Sequence, residues 1–183
     1  MKWNLVRLAD VRSRPWRNGG GTTRELLAMP GPDDWRLRIS VAEVENDGPF
    51  SAFAGVKRWF AVLHGAGVVL KVGDREHRVT RDDPPLAFDG GVAVDCHLIA
   101  GATQDLNLMV RGRVAAMHRV AQVRQEHCDA RVIVAVYANA PTSITVDDEP
   151  LVIDEGMLAW RAVDHGARVR VESRDALWME IEP

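Results

Sequence analysis

The residues best suited to bind a ligand lie between positions 16 and 25. Three consecutive glycines, Gly19, Gly20 and Gly21, separate a Trp-Arg-Asn stretch from a Thr-Thr-Arg-Glu stretch. Glycine permits tight backbone paths, so the run predicts a loop that holds its neighbours in fixed directions. No Lys-Ser/Thr pair follows the glycines, which argues against a phosphate-binding loop. We predict that a ligand contacts the three glycines together with Trp16, Asn18, Thr23 and Glu25.

Arginines provide the second ingredient of a binding site. A guanidinium can bind a carboxylate through two hydrogen bonds, which suits a small anionic metabolite. Arg58 stands at the start of an apolar strand pattern, and we predict that it contacts the ligand. Strand arginines such as Arg36 and Arg38 are expected to be solvated and paired with surface acids instead. The arginines of this half of the chain include Arg17, Arg24, Arg36, Arg38 and Arg58.

Four residues outside the glycine segment and the arginines complete or flank the predicted site, namely Ser40, Phe88, Asp105 and Asn107. Asp105 and Asn107 alternate with leucines, so their side chains lie on one face of a strand. If that face is interior they need polar partners, which the segment 18–25 could supply. A polar pair that merely stabilises a turn is the alternative. For Phe88, and equally for Trp16, the alternatives are a place in the core and a place in a pocket wall.

Short apolar segments at strand length, separated by Gly, Pro and Asp, predict the elements that position these residues. Residues 35–41 alternate apolar and polar side chains with period two, as in a half-buried strand. Similar segments recur along the whole chain at close spacing, which is typical of an all-β sandwich or barrel. Helix is expected only over residues 23–29, with a turn around residues 121–126. The other predicted strands are 56–63, 68–72, 77–79, 85–88, 92–99, 107–110, 131–138, 143–146, 151–153, 157–160, 167–171 and 176–181.

A weak internal repeat predicts two copies of one β-rich unit. The dipeptides Gly73-Asp74 and Asp147-Asp148 each separate two strand patterns, as in tight hairpins. Each is followed by a short apolar box, at residues 86–88 and 158–160. Two stacked barrels explain this recurrence better than one long sandwich, with residues 122–129 as the connection. Because each copy is small, we expect the two to share a buried interface.

The composition excludes several classes of function. The 183 residues carry a formal net charge of −3 and no long basic stretch, so a nucleic-acid partner is not expected. The chain shows neither a leader-like start nor an apolar run long enough for a membrane span. We therefore expect a cytoplasmic protein without a membrane partner. Cys96 and Cys128 are expected to remain free thiols in that reducing compartment.

Six motifs, taken in order, resemble those of the HutD/Ves family. They are Pro-Trp-Arg-Asn-Gly-Gly-Gly-Thr-Thr-Arg-Glu at 15–25, Arg-Ile-Ser-Val-Ala at 38–42, Gly-Pro-Phe-Ser at 48–51 with Gly55 and Arg58, Leu-His-Gly-Ala-Gly at 63–67, Phe-Asp-Gly at 88–90 and Asp-Leu-Asn-Leu-Met at 105–109. They cover residues 1–113, and the remainder is similar in length and β-character only. The resemblance implies a bicupin, two jelly-roll barrels in one chain, at residues 1–113 and 114–183, with little helix.

The resemblance also implies a role without implying a reaction. HutD-type members accompany histidine utilisation and are proposed to bind an intermediate such as formylglutamate or urocanate, whereas Ves-type members are linked to environmental or cold stress. No catalytic activity is established for the family. Cupin sheet edges often pair, which would give a homodimer.

The sequence offers little for metal or covalent catalysis. Metal-dependent cupins use a His-x-His pair with further ligands, whereas the six histidines here are isolated. A site made of His64, His97 and Cys96 is the alternative, and we favour a pocket without metal or cofactor. Ser40 lacks the sequence context of an activated serine, and Cys96 is expected to be a small buried apolar residue.

Two functions of different classes follow. The first is a non-catalytic accessory protein that binds a small carboxylate metabolite in its first barrel. The second is a metal-independent cupin enzyme, an isomerase or a hydrolase, with Glu25 or Asp105 as general base. We favour the first because no cluster of catalytic residues is recognisable, so no catalytic residue is assigned.

Overall fold

A computed structural model describes residues 2–183 and shows a chain built almost entirely of β-strands. The single helical element in this range is a 3-10 turn at Leu8–Asp10. The strands in chain order are β1 (Asn4–Arg7), β2 (Arg14–Pro15), β3 (Gly21–Met29), β4 (Leu37–Val44), β5 (Gly48–Phe50), β6 (Val56–His64), β7 (Val68–Val72), β8 (Arg75–Val79), β9 (Leu86–Asp89), β10 (Val94–Leu98), β11 (Thr103–Arg111), β12 (Ala115–Val120), β13 (Val123–His127), β14 (Val132–Ala138), β15 (Thr142–Val146), β16 (Glu149–Ile153), β17 (Met157–Val163), β18 (Arg168–Glu172) and β19 (Ala176–Ile181). The all-β class predicted from period-two alternation is confirmed.

The chain divides into two units. The N-terminal unit is Val11–Gly112, and the C-terminal unit combines Arg113–Pro183 with the residues up to Asp10. The N-terminal unit has a six-stranded sheet in the order β2-β3-β4-β11-β6-β9 and a four-stranded sheet in the order β5-β10-β7-β8. All pairings in both sheets are antiparallel. Its core draws on both sheets and comprises Val44, Phe60, Val62, Val68, Leu70, Val79, Phe88, Val94 and Cys96.

The six-stranded sheet has two chemically different faces. Along β4, Leu37, Ile39 and Val41 are completely or almost completely buried on one face. Arg38 and Ser40 alternate with them, so they occupy the opposite face. Pairing of β4 with β11 sets Asn107 opposite Ser40 on that polar face. Period-two alternation thus brings polar side chains from neighbouring strands together on one side of the sheet.

The C-terminal unit repeats this plan. Its sheets are β1-β17-β14-β19-β12 and β13-β18-β15-β16. The predicted hairpins across Gly73-Asp74 and Asp147-Asp148 are confirmed as β7-β8 and β15-β16, and each lies at the end of a four-stranded sheet. The apolar boxes recur in β9 and β17, which pair with β6 and β14 respectively. The core of this unit is wholly apolar and is made from residues of both its sheets.

The first residues belong to a different unit from the one expected. We predicted them within the first barrel, residues 1–113, but β1 pairs with β17 of the C-terminal unit. Trp3 lies against Arg161 of the same unit, with 5.5 Å between the guanidinium carbon and the ring centroid. A four-residue edge strand has no local signal for its partner, because the pairing joins positions far apart in the sequence.

Two predictions of secondary structure were wrong. Residues 23–29, expected to be helical, lie in the long strand β3, which pairs with β4 over its length. A turn was expected at residues 121–126, and a connection between the two copies at residues 122–129. Most of these residues instead lie in β13, which pairs with β18. The partner of β13 is distant in sequence and that of β3 is the next strand along the chain, and in both segments strand pairing overrides a weak local preference.

Within the described chain, no helix is both long and apolar enough to cross a membrane. Cys96 and Cys128 are free and buried, as expected.

Candidate functional site

A cavity of about 580 Å³ opens in the N-terminal unit. Small-molecule sites commonly have this size. Its floor is the polar face of the six-stranded sheet, and two loops form its walls. The floor consists of Thr23, Glu25, Arg38, Ser40, Ala42, Arg58, Asn107 and Met109, and the walls of Arg14, Pro15, Trp16, Arg17, Asn18, Pro49, Phe50, Ser51 and Phe53.

Strand register arranges the floor in rows across adjacent strands. Glu25 of β3 pairs with Ser40 of β4, and Ser40 pairs with Asn107 of β11. In the next row Arg38 pairs with Met109, and Met109 pairs with Arg58 of β6. Neighbouring strands lie about 4.8 Å apart, so four polar side chains converge within a few strand spacings. Residues far apart in sequence therefore form one continuous polar surface.

Arg58 is the most tightly held of these side chains. It is only 7% exposed, and its Nε and Nη2 both donate to Oδ1 of Asn107, at 2.9 and 2.7 Å. Its guanidinium carbon lies 4.8 Å from the ring centroid of Phe50 and 5.4 Å from that of Phe88. Burial, and secondarily the charge of Arg38, lower the pKa of Arg58 to about 10, so it remains cationic at neutral pH. The structure thus presents a fixed cation at the floor of the cavity.

Several polar groups on the floor have no partner among the described residues. The Nη1 group of Arg58 makes no hydrogen bond, since both bonds of this side chain come from Nε and Nη2. The amide nitrogen of Asn107 and the hydroxyl of Ser40 are likewise unbonded, although both residues are almost fully buried. Buried polar groups are normally hydrogen-bonded, so these donors are available to a bound acceptor. A carboxylate supplies such an acceptor.

Glu25 introduces the single negative charge of the cavity lining. Its Oε2 accepts a hydrogen bond of 2.8 Å from Nε of Arg38, and both side chains are about four-fifths buried. Arg38 was expected to be solvated and paired with a surface acid, but its partner lies beside it in the cavity. With Arg14, Arg17 and Arg58, the lining carries four arginines against one glutamate. This charge balance favours an anionic ligand.

The glycine run forms the turn between β2 and β3 that holds one wall. At Gly21 a Cβ atom would lie 2.1 Å from the backbone oxygen of Glu43, so only glycine lets β3 approach β4 there. Gly19 adopts a φ of 70°, and the Asn18 side chain accepts a hydrogen bond from the Gly20 amide at 2.9 Å. The turn therefore fixes the wall residues, while none of the three glycines lines the cavity.

Aromatic side chains supply the apolar part of the walls. The indole nitrogen of Trp16 donates to Thr23 at 2.7 Å, which fixes the ring against the sheet. Phe50 meets Trp16 edge-on at 6.0 Å between ring centroids, and Phe53 meets Trp35 at 6.0 Å. Such walls shield the charged floor from water and strengthen its interaction with an anion.

Seven of the twelve predicted ligand residues line the cavity, namely Trp16, Asn18, Thr23, Glu25, Ser40, Arg58 and Asn107. Phe88 is the cross-strand partner of Arg58, so it lies on the same face of the sheet, in the core and against Arg58, outside the lining. Asp105 is completely buried and does not line the cavity. Its expected partners in the segment 18–25 are not the ones found: Thr103 donates to its Oδ2 at 2.8 Å, and its Oδ1 has no partner. Burial raises the pKa of the Asp105 carboxyl to about 8, against the opposing effects of the Thr103 hydrogen bond and of Arg58.

Sequence reasoning missed Arg38 and the second wall. Arg38 shares the period-two alternation of Ser40, so that pattern was the signal that could have placed it in the cavity. Phe50 stands in the Gly-Pro-Phe-Ser motif, which was the signal that could have marked this wall, but only the pairing of β5 with β10 shows where the segment lies.

The donor set does not suit a metal ion. Within residues 2–183, no three His, Cys, Asp or Glu side chains gather closely enough to hold one. In the alternative site of His64, His97 and Cys96, Cys96 is buried whereas both histidines are exposed. Cys96 and His97 are successive residues of β10 and lie on opposite faces, so they cannot bind one ion.

Comparison with known proteins places this chain in a family. A model of the HutD family matches residues 8–182. The chain belongs to the HutD family. An uncharacterised 21.2 kDa protein in the hutC 3′ region of Pseudomonas putida is 39% identical over 107 residues, which cover 57% of this chain and 56% of the relative. Protein Ves of Citrobacter koseri is 36% identical over 118 residues, 61% of this chain and 62% of the relative. The matches thus span little more than half the length of these curated relatives.

Solved structures agree with the family. HutD from Pseudomonas fluorescens SBW25, described in a formate condition, is 28% identical with a TM-score of 0.86 and covers 99% of this chain and 98% of its own. Oxalate decarboxylase of Bacillus subtilis reaches a TM-score of 0.65 at 10% identity, covering 97% of this chain and 76% of its own. At that identity the likeness shows the fold alone, which is cupin-like. The predicted HutD/Ves resemblance is confirmed.

Proposed function

We propose that this HutD-family protein binds a small organic carboxylate in the cavity of its N-terminal unit and acts as a non-catalytic accessory protein of histidine utilisation in the cytoplasm. Arg58 carries this proposal. Its buried guanidinium is already held by Asn107 and two aromatic rings, yet its Nη1 group remains free. A preorganised cation avoids the entropic cost of ordering a flexible side chain on binding.

The carboxylate would lie where the free donors of Arg58, Asn107 and Ser40 converge. Hydrogen bonds between charged partners are stronger than neutral ones, and the aromatic walls exclude competing water. Arg14 and Arg17 at the turn wall would attract the anion electrostatically before it enters. As the fold that supports this site, we propose a bicupin whose two units are jelly-roll barrels.

Catalysis is less well supported by the same residues. Glu25, the one carboxylate in the lining, is engaged by Arg38, and Asp105 is on the same face as Asn107 but is buried outside the lining. Neither therefore stands free beside the donors that would hold a substrate. A metal-independent isomerase or hydrolase, and a Ves-like stress role, remain the alternatives.

Calorimetric titration with N-formyl-L-glutamate and with urocanate tests the proposal. We expect saturable 1:1 binding of at least one of them, strongly weakened in Arg58→Gln, which removes the cation at the floor. Arg36→Gln is the matched control, because Arg36 is exposed and lies outside the cavity. If neither compound gives heat with the wild-type protein, histidine-pathway carboxylates are not its ligands.

A further inference from the structure

Glu25 has a feature that binding of an anion alone does not explain. A carboxylate in an anion site repels the ligand, and pairing with Arg38 uses only one of its oxygens. The other oxygen, Oε1, makes no hydrogen bond to any described residue, although the side chain is only 20% exposed. Because Glu25 lines the cavity and Oε1 is not enclosed, this oxygen is accessible to a donor group of a bound ligand.

The backbone of β3 is irregular at this residue. The register of β3 against β4 shifts between Glu25 and Leu27, so Leu26 is an extra residue of a β-bulge. Bulges bend a strand and change the direction of neighbouring side chains, and they often lie next to functional sites. Leu26 and Leu27 are both buried, which locks the bulge in place. The position of Glu25 is therefore set by the strand, with Arg38 fixing its carboxylate.

The neighbours of Glu25 indicate what the ligand must provide. Ser40 is its direct partner across the strand pair, and Asn107 follows in the same row. The free donors of Ser40, Asn107 and Arg58 suit a carboxylate. Glu25, which offers a free acceptor, lies on the strand next to that of Ser40, about 4.8 Å away. A ligand that fills both needs an N–H group close to its carboxylate.

We propose that Glu25 is a specificity-determining residue that selects carboxylates with an amide N–H on the adjacent carbon, as in N-acyl amino acids, over carboxylates without that donor. The inference rests on the proposed function and narrows its ligand class. Arg38 positions the Glu25 carboxylate, and Oε1 accepts the N–H of the ligand. Sites built to bond a polar group discriminate well against analogues that lack it, because the protein group is then left unpaired.

Two ligands that differ only in having an amide N–H or an ester oxygen at the same position test the proposal. N-acetyl-L-glutamate carries the amide N–H, and O-acetyl-L-2-hydroxyglutarate replaces that N–H with an ester oxygen. We expect the wild-type protein to bind the amide at least tenfold more tightly than the ester by calorimetry. The ester oxygen would meet the Glu25 carboxylate as a second acceptor, so its binding is penalised.

Variants then assign the preference to Glu25. In Glu25→Gln the amide-to-ester affinity ratio should fall to within about threefold, because the new side chain can present a donor to the ester. Glu43→Gln is the matched control, because Glu43, like Glu25, pairs with an arginine of the neighbouring strand. That partner is Arg24, and Glu43 lies outside the cavity lining. It should keep the tenfold ratio. Thermal melting of each variant shows that the fold is retained.

The outcomes separate the two proposals. Equal affinity of the wild-type protein for amide and ester overturns the selectivity while leaving carboxylate binding intact. A preference that persists in Glu25→Gln overturns the role of Glu25. Absence of binding by either ligand overturns carboxylate binding and the selectivity with it.

Discussion

At the scale of single residues, Arg58 has a structural role in addition to the binding role proposed for it. From the sequence alone, its replacement is expected to abolish anion binding with little effect on stability. The structure contradicts the second half, because Arg58 is buried and satisfies the Asn107 side chain through two hydrogen bonds.

Replacement of Arg58 should therefore destabilise the protein as well as abolish anion binding. Arg58→Ala leaves the buried Asn107 oxygen without a donor, a loss of about 1–3 kcal/mol in the free energy of unfolding. Urea denaturation measures this loss, and calorimetry measures the binding. Arg17→Ala is the control, since Arg17 is an exposed residue of the wall and its loss should weaken binding without lowering stability. An Arg58→Ala protein as stable as the wild type would refute the structural role.

Asp105 should make stability depend on pH. Its folded pKa of about 8 lies above the ordinary value of 3.8, so between these pH values the folded protein holds a proton that the unfolded chain has released. Stability from this residue is thus greatest at low pH and falls as pH rises from about 4 to about 8.

The Asp105→Asn variant tests that sign. The wild type should lose stability from pH 5 to pH 8.5 through Asp105, and the variant should not. The free energy of unfolding of Asp105→Asn minus that of wild type should therefore be larger at pH 8.5 than at pH 5, as measured by urea denaturation. Asp95→Asn on the exposed side of β10 is the control and should show no such trend. A difference between Asp105→Asn and wild type that does not change with pH would show that Asp105 is ionised in the folded state.

At the scale of elements, the turn between β2 and β3 shapes the cavity through backbone geometry. Its glycines are needed for the close approach of β3 to β4 at Gly21 and for the positive φ at Gly19. The bulge in β3 lies directly after Glu25, since the next residue paired with β4 is Leu27, two positions further along the strand. The turn positions the wall residues that precede β3, and the bulge positions Glu25 on the floor of the cavity.

Gly21→Ala should separate β3 from β4 locally. A Cβ atom 2.1 Å from a backbone oxygen cannot be accommodated without movement, and such overpacking costs about 1–3 kcal/mol. We expect lower stability by urea denaturation and weaker carboxylate binding. Gly31→Ala is the matched control, because nothing lies within 4 Å of its added Cβ and its φ is not positive. Equal stability of the two variants would mean that β3 can shift freely.

At the scale of the whole molecule, one sheet plan is built twice, and each unit buries polar side chains besides its apolar core. In the N-terminal unit arginine, glutamate, serine and asparagine side chains line the cavity, and in the C-terminal unit the buried polar residues are Asn139, Thr142, Arg161, Ser173 and Asp175. The fold is shared with oxalate decarboxylase at the level of architecture alone, and function must be argued from the side chains of the site.

The purified protein should accordingly contain no stoichiometric transition metal. The cavity offers a fixed guanidinium and a glutamate that is already paired with Arg38, so a divalent cation would meet repulsion rather than a ligand set. Treatment with a chelator should leave the melting temperature unchanged. Elemental analysis that finds about one zinc, iron, manganese or nickel ion per chain would contradict this prediction.

The sequence by itself determined the features that depend on local pattern. Period-two alternation identified most strands, the two tight dipeptides located the hairpins, and the motif order identified the family. Arg58, Ser40 and Asn107 were also predicted as site residues, because alternation and motif placed them on strands of the first repeat.

The tertiary structure decided everything that depends on which strand pairs with which. It made a strand of residues 23–29, assigned β1 to the C-terminal unit and brought Phe50 and Phe53 over the six-stranded sheet. It also made Arg38, expected at the surface, the partner of Glu25, and it buried Asp105 outside the cavity lining. Alternation specifies that a strand has two faces, but which face becomes interior is set by contacts between residues distant in sequence.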